Sequence, residues 1–331
     1  MNTLEKIMNS MGVRSVDKAE NIRAGQVAVW NVAEGVLPTQ FLTDYATGLL
    51  TRNNMAETLA HIAPVAPVIA TPGNVAFQYA YFPLAEEFPQ VGYEKLVRAQ
   101  GGDFPFTDSA AQRRDGHVDQ IGISIAIEQS LVNALGDAYK QRALRRLVEI
   151  INRASLIKAL GMLDDIAEES TIDLTTDTNP DGTLRTALHK AAERAGIRPN
   201  RLLYGTGAWD MRTAKYEALA PMSSAAFRAA RDADELGRSL GVSVVVPDGR
   251  VASADGTFPT IATNKIYAVV GFDGVGTDDP STMKTFRPPE GISVYESVHP
   301  QGEKIILTAK VWQSIMVTQP EGALAIEVKN A

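Results

Sequence analysis

A change of hydrophobic period at Glu128 constrains this chain more than any other feature of its sequence. Before it, Ile121, Ile123, Ile125 and Ile127 alternate with small or polar residues, the period of a strand with one buried face. After it, Leu131, Leu135, Ala138, Leu144, Leu147, Ile151, Ala154 and Ile157 recur at helical spacing, with Lys140, Arg142, Arg145, Arg146 and Arg153 largely opposite. The pattern predicts a strand running into a helix that reaches about Leu163. At about 1.5 Å per residue such a helix is on the order of 50 Å long, more than a small domain needs.

The segment before this switch reads differently. Between Pro64 and Gln120, six prolines (Pro64, Pro67, Pro72, Pro83, Pro89, Pro105) are scattered among Gly73, Gly92, Gly101, Gly102 and Gly116, which argues against long helices. Phe77, Tyr79 and Tyr81 alternate as one face of a strand does, and Tyr93 to Ala99 is a second extended candidate. Together they predict an extended hairpin with little core of its own, and a loop of that length inside a compact domain is either functional or a sign that its elements are misassigned. Upstream, residues 1–36 read as a partly helical arm, with Leu4, Ile7, Met8 and Met11 on one face. Pro38 opens a helical pattern (Phe41, Leu42, Tyr45, Leu49, Leu50), and a short turn follows from Met55 to Ile62.

Downstream, Thr171 to Gly182 reads as a polar turn. A helix starting at Thr183 stops at Gly196, a strand spans Arg201 to Tyr204, and helices follow over Ala208–Leu219 and Phe227–Leu240. Strands are expected at Val242–Val246 and Thr260–Val270. From Ile292 to Val328 the apolar alternation, divided at His299–Gly302 and Gln319–Gly322, predicts a three-stranded antiparallel sheet. The fold class is α+β.

Composition removes several kinds of chemistry. The 331 residues contain no cysteine, so disulfides, thiol catalysis and thiolate metal sites are excluded. No run approaches the roughly 20 apolar residues of a membrane helix, and Met1–Glu20 lacks the apolar stretch of a secretory signal; a soluble protein made in a cytoplasm, with no membrane partner, is expected. The net charge is −7, from 39 acids against 32 bases, without long blocks of one sign. Sequence-specific nucleic-acid binding, which needs clustered Lys and Arg, is not expected.

The candidate enzymatic motifs fail on context. Gly237, Arg238, Ser239, Leu240, Gly241 spell a nucleophile elbow, but that elbow needs a strand before the serine and a helix after it, and here the order is reversed. Gly205, Thr206, Gly207 opens a helix as a dinucleotide fingerprint does, yet Asp210 stands where the third glycine belongs and would repel a pyrophosphate. Gly271, Gly274 and Gly276 with Asp278 and Asp279 lack the partners of a phosphate or calcium loop. Asp173, Asp177 and Asp181 read as loop caps, and His61, His117, His189 and His299 have no metal-ligand spacing. No catalytic, cofactor or metal site is expected, and the chain is not read as an enzyme.

The order of parts resembles the major capsid protein of tailed bacteriophages, the Hong Kong 97-like coat fold shared with encapsulin shells, from about Gly35 to Val328. The echoes are Gly35, Val36, Leu37, Pro38 opening a helix, then Ile62, Ala63, Pro64, Val65. Phe77 to Pro83 is similar to an outgoing loop strand, Ala99 to Pro105 to its Gly-rich return, and Ile123 to Leu131 to the start of the spine helix. The resemblance implies an N-terminal arm (1–36), an arm-to-loop helical segment (37–63), an extended loop (64–120), and a peripheral domain with the spine helix (121–182). An axial α/β domain (183–279) and the C-terminal peripheral strands (280–331) complete it. An arm this short implies no long fused scaffolding segment.

By the same resemblance the protein is a virion component assembled in a host cytoplasm. It forms an icosahedral or prolate shell of hexamers and pentamers around double-stranded DNA, and the mildly acidic wall would not hold that DNA tightly. Its partners are copies of itself and DNA bound without sequence specificity, with scaffolding, portal or decoration proteins left open. An encapsulin-type compartment, or an α/β enzyme using Ser239 or the Gly205 turn, are the competing readings. Phe77, Tyr79, Tyr81, Gly101, Gly102, Phe104 and Pro105 are the expected intersubunit loop contacts, on the argument that a hairpin without a core needs a neighbour to cover it. Lys95 lies in the loop, but the final sheet has no Asn before Asn330, so a covalent Lys–Asn weld between subunits is not expected.

Overall fold

In the computed structural model of the chain, the residues described are 42–46, 54–68, 75–82, 112–177, 179–219, 232–247, 249–250, 260, 264–272, 276, 279–289, 291–298 and 303–329. The expected arm, 1–36, lies outside them, as do Tyr93–Ala99 and Phe227–Arg231.

In chain order, residues 42–46 are helical and Asn54–Ile62 forms helix α1. Strand Val65–Pro67 (β1) follows, then Ala76–Tyr81 (β2), Gln112–His117 (β3) and Asp119–Glu128 (β4). Helices Gln129–Leu135 (α2) and Asp137–Ile166 (α3) lead to strand Glu168–Asp173 (β5) and helix Pro180–Ala195 (α4). Next come Arg201–Tyr204 (β6), Thr206–Leu219 (α5), Ala233–Leu240 (α6), Ser243–Val245 (β7) and Lys265–Val269 (β8). The chain closes with Met283–Arg287 (β9), Ile292–Val298 (β10), Lys304–Val317 (β11), a 3-10 turn at Pro320–Gly322, and Leu324–Lys329 (β12).

Two sheets organise these elements. In the first, β11 is central: its first half lies between β10 and β4, and Ser314–Val317 pairs antiparallel with β9, which carries β1 in parallel. The second has the order β5-β12-β8-β6-β7. The helix α3, with 30 residues, runs behind both. Its first half packs Leu144, Leu147, Val148 and Ile151 under Ile305, Leu307 and Val311 of the first sheet. Its second half packs Leu156, Ala159, Leu160 and Leu163 with α1 and with Leu203, Tyr267, Val269 and Ala325 of the second. A third core, on the far side of the second sheet, joins Leu184 and Leu188 of α4 and Leu236 and Leu240 of α6 to Leu202, Ala268 and Ile326. The length of α3 is therefore used: among the described residues it is the one helix shared by two cores.

The strand-to-helix switch falls at Glu128, as its periods predict. The helix is nevertheless divided at Gly136, whose φ of 66° and ψ of −162° cannot continue it. Lys140, expected on the polar face, is wholly buried, and its ammonium donates 2.8 and 3.1 Å bonds to both oxygens of Glu296 on β10. The alternation from Ile292 to Val328 does form three strands, but only β10 and β11 pair with each other. After the turn at Pro320 the chain crosses to the second sheet, where β12 runs parallel to β5 and antiparallel to β8. Within the expected turn, residues 171–173 belong to β5, and α4 begins at Pro180 because Asn179 caps it by accepting from the Gly182 N–H at 3.1 Å. The second sheet thus draws two strands from outside 183–279.

Candidate functional site

The extended loop is the feature through which sequence reasoning assigns function, and its base is well defined. Strands β2 and β3 pair antiparallel from Ala76↔His117 to Tyr81↔Gln112. The outer strand has the sequence Gln-Arg-Arg-Asp-Gly-His, with no apolar alternation to announce it, and it takes the place beside Phe77–Tyr81 that the sequence pattern offers to Tyr93–Ala99. Backbone bonds continue the anchorage: Val118 N–H donates to Val75 O, and Phe82 N–H donates to Thr318 O.

Phe77 and Tyr79 do not stand bare, which corrects the expectation of a hairpin without a core. Phe286 of β9, completely buried, lies with its ring 4.7 Å from Phe77 and 5.4 Å from Tyr79, centroid to centroid, and Phe77 and Tyr79 are 6.1 Å apart. Val118, Ala66 and Met316 close the cluster. The rings are tilted by about 45° to one another, an arrangement that adds to their area burial. Burial raises the Tyr79 phenol above its ordinary value, against the opposing pull of the Arg114 guanidinium. Gly116 faces Phe77 across the ladder; a Cβ there would fall 2.7 Å from Phe77 Cζ and 3.1 Å from Met316 Sδ. Tyr81, at the outer end, is only half-buried, and the Arg114 guanidinium sits 3.3 Å above its ring. Gly101, Gly102, Phe104, Pro105 and Lys95 lie outside the described residues. Sequence reasoning missed Phe286 and Met316 as the anchor, because β9 is buried at every position but its last and shows no alternation to mark a face.

A second exposed apolar feature lies beside the loop base. A groove of about 320 Å3 runs between α3 and β4, walled by Ile121, Ile123, Ile150, Ala154 and Ile315. Ile121 and Ile150 remain 40% and 36% exposed. The first sheet also exposes Tyr295 and Val298 on its edge strand β10.

The residues of the motif-like stretches have structural employment. Ser239 sits in the last turn of α6 and donates to Leu236 O at 3.0 Å, ahead of the strand and not behind it. Gly241 caps that helix in the left-handed conformation, and Arg198 and Arg185 donate to its final carbonyls, Leu240 O and Ser239 O. Asp173 accepts from Thr175, which holds its carboxyl below the ordinary range, and Asp177 accepts from the Asn179 N–H. Asp181 forms a paired-oxygen contact, both bonds 2.8 Å, with the Arg212 guanidinium, itself placed against the rings of Trp209 and Tyr216. The three acids therefore serve three separate ends. His61 bonds Leu202 O and His117 pairs with Asp119; no metal-binding group of side chains occurs among the described residues.

This arrangement of hairpin, spine and two sheets has counterparts. A phage-related protein from Bordetella bronchiseptica superposes with a TM-score of 0.63 over 87% of this chain and 96% of its own, at 17% identity. The mature capsid of bacteriophage PhiM1 superposes with a TM-score of 0.50 over 82% and 87%, at 11% identity. The chain has the tailed-phage capsid fold. The encapsulin SrpI of Synechococcus elongatus is a weaker likeness, with a TM-score of 0.48 and 13% identity over 92% of this chain and 94% of that one. No protein-family profile and no curated protein matches the sequence.

Proposed function

We propose that this protein is the coat subunit of a phage head, assembling through hexamers and pentamers into a closed shell around double-stranded DNA. The observation that carries the reading is the capsid fold itself, shared over 82% of the chain with a protein solved as a mature capsid. The physical features support it. A hairpin root fixed by Phe286 is a rigid mount for residues 83–111, and a helix common to two cores makes the subunit a stiff wall element. Tyr81, Gly101, Gly102, Phe104 and Pro105 would then lie against a neighbouring copy, while Phe77 and Tyr79 hold the mount. The apolar groove and the exposed Tyr295 and Val298 offer further surface for association. In this reading the chain is a structural protein of the virion with no catalytic role.

The test is to express the full chain, measure particle mass and assay the contents. Particles of many subunits containing nuclease-protected double-stranded DNA are expected when the phage packaging machinery is present. Shells that carry only a protein cargo would favour an encapsulin-type compartment, and a protein that remains a monomer at high concentration would contradict the proposal.

A further inference from the structure

We propose that the outward face of α3 is a binding stripe for the sugar-phosphate backbone of double-stranded DNA, formed by Arg142, Arg145, Arg146 and Arg153. In the first half of α3 the core-facing side carries Leu144, Leu147, Val148 and Ile151, and Arg142, Arg146 and Arg153 lie nearly opposite them around the axis. Arg142, Arg145 and Arg146 are exposed and Arg153 is half-buried. At about 100° per residue, Arg142, Arg146 and Arg153 fall within about 40° of one another around the axis, with Arg145 flanking them. From Arg142 to Arg153 they span about 16 Å of a straight helix. Glu149, half-buried, is the one acid between them.

None of the four guanidiniums has an ion-pair or hydrogen-bond partner among the described residues. Three arginines elsewhere are engaged: Arg212 with Asp181, Arg194 with Glu168 and Glu321, and Arg201 with the carbonyls ending α1. In a chain with a net charge of −7, four arginines to one acid over about three turns is a local reversal of sign. Guanidinium forks suit phosphate oxygens, and a row on one rigid helix meets a uniformly charged rod without reading its bases. The other acidic candidate is residues 83–111 of a second copy, with five acids and two bases, a net of −3 (2 − 5). Its charges are interrupted by prolines and glycines, whereas a duplex offers a charge about every 1.7 Å along its axis, so every arginine of the stripe finds one. The wall is then acidic in sum but adhesive along this helix.

The choice of DNA as the polyanion rests on the proposed shell, but the test needs no shell. Binding of the unassembled full-length chain to a short mixed-sequence duplex is followed between about 50 and 200 mM salt, where a log–log slope of about −3 is expected for three to four neutralised phosphates. Arg142→Ala/Arg145→Ala/Arg146→Ala should weaken binding at low salt at least about tenfold and bring the slope close to zero. The matching triple Lys variant should keep both, and unchanged circular dichroism of the two variants separates loss of binding from loss of fold. Equal duplex binding by wild type and the Ala variant would overturn the proposal, as would failure of a folded Lys variant to bind. Unchanged duplex binding with lost self-association would overturn it in favour of the acidic segment of a neighbouring copy. A chain that binds the duplex yet never forms particles would contradict the shell alone.

Discussion

Phe286 decides more than any other single residue, because it turns two sequence-readable aromatics into an anchor. Its ring is fully buried against Phe77 and Tyr79, and Phe286→Ala should destabilise the protein by about 3–5 kcal/mol, measured by denaturant unfolding. Gly116→Ala tests the same contact from the other side. With its Cβ 2.7 Å from Phe77 Cζ, it should cost about 1–3 kcal/mol, and shortening the ring in Phe77→Leu should recover part of that. Several tyrosines couple the fold to alkaline pH. Burial raises Tyr204, Tyr267 and Tyr216, the last to about 12 from 10.0. The unfolded chain releases these protons near pH 10 and the folded one later, so unfolding is favoured as pH rises: stability is full below about pH 10 and lost through about pH 12. Unfolding midpoints measured from pH 8 to 12 should fall only in that upper window. Individual contacts of this kind were not legible beforehand, since Phe286 and Gly116 meet Phe77 from distant parts of the chain.

At the scale of elements, those with a strong period were legible and those held by pairing were not. The Ile121–Ile127 strand and the apolar face of α3 appear where their spacing puts them, because Ile123, Ile125 and Ile127 pack with α3 on one core while Ile121 stays exposed. Strands β3 and β5 carry mostly exposed, polar residues and exist through backbone ladders to β2 and β12, so no side-chain pattern marked them. The interruption at Gly136 was hidden for another reason: helical spacing persists across it. Nothing lies within 4 Å of a Cβ placed there, so Gly136→Ala isolates backbone strain at φ 66°, and a loss of about 1–3 kcal/mol in thermal unfolding is expected without any clash. Lys140 and Glu296 tie α3 to the edge strand β10. Glu296→Ala leaves a buried ammonium unpaired and should destabilise by about 3–5 kcal/mol, whereas Lys140→Met/Glu296→Leu should recover most of the loss.

For the whole molecule, α3 and β11 each supply side chains to two cores, and their lengths, 30 and 14 residues, allow it. The sequence pattern predicted one long helix but kept the last three strands in one sheet, since alternation says which residues face inward and not which neighbour a strand joins. The proposed role of Gly101, Gly102, Phe104 and Pro105 is in assembly. Because the root is anchored within its own chain, replacing residues 84–110 by a short turn should leave the unfolding midpoint close to that of the full chain while abolishing assembly, as read by mass measurement. The most direct measurement is cryo-electron microscopy of the assembled full-length protein. Closed particles are expected in which residues 83–111 of each subunit lie on an adjacent copy; finding that segment folded against its own subunit, or no assembly at all, would contradict the coat-subunit reading.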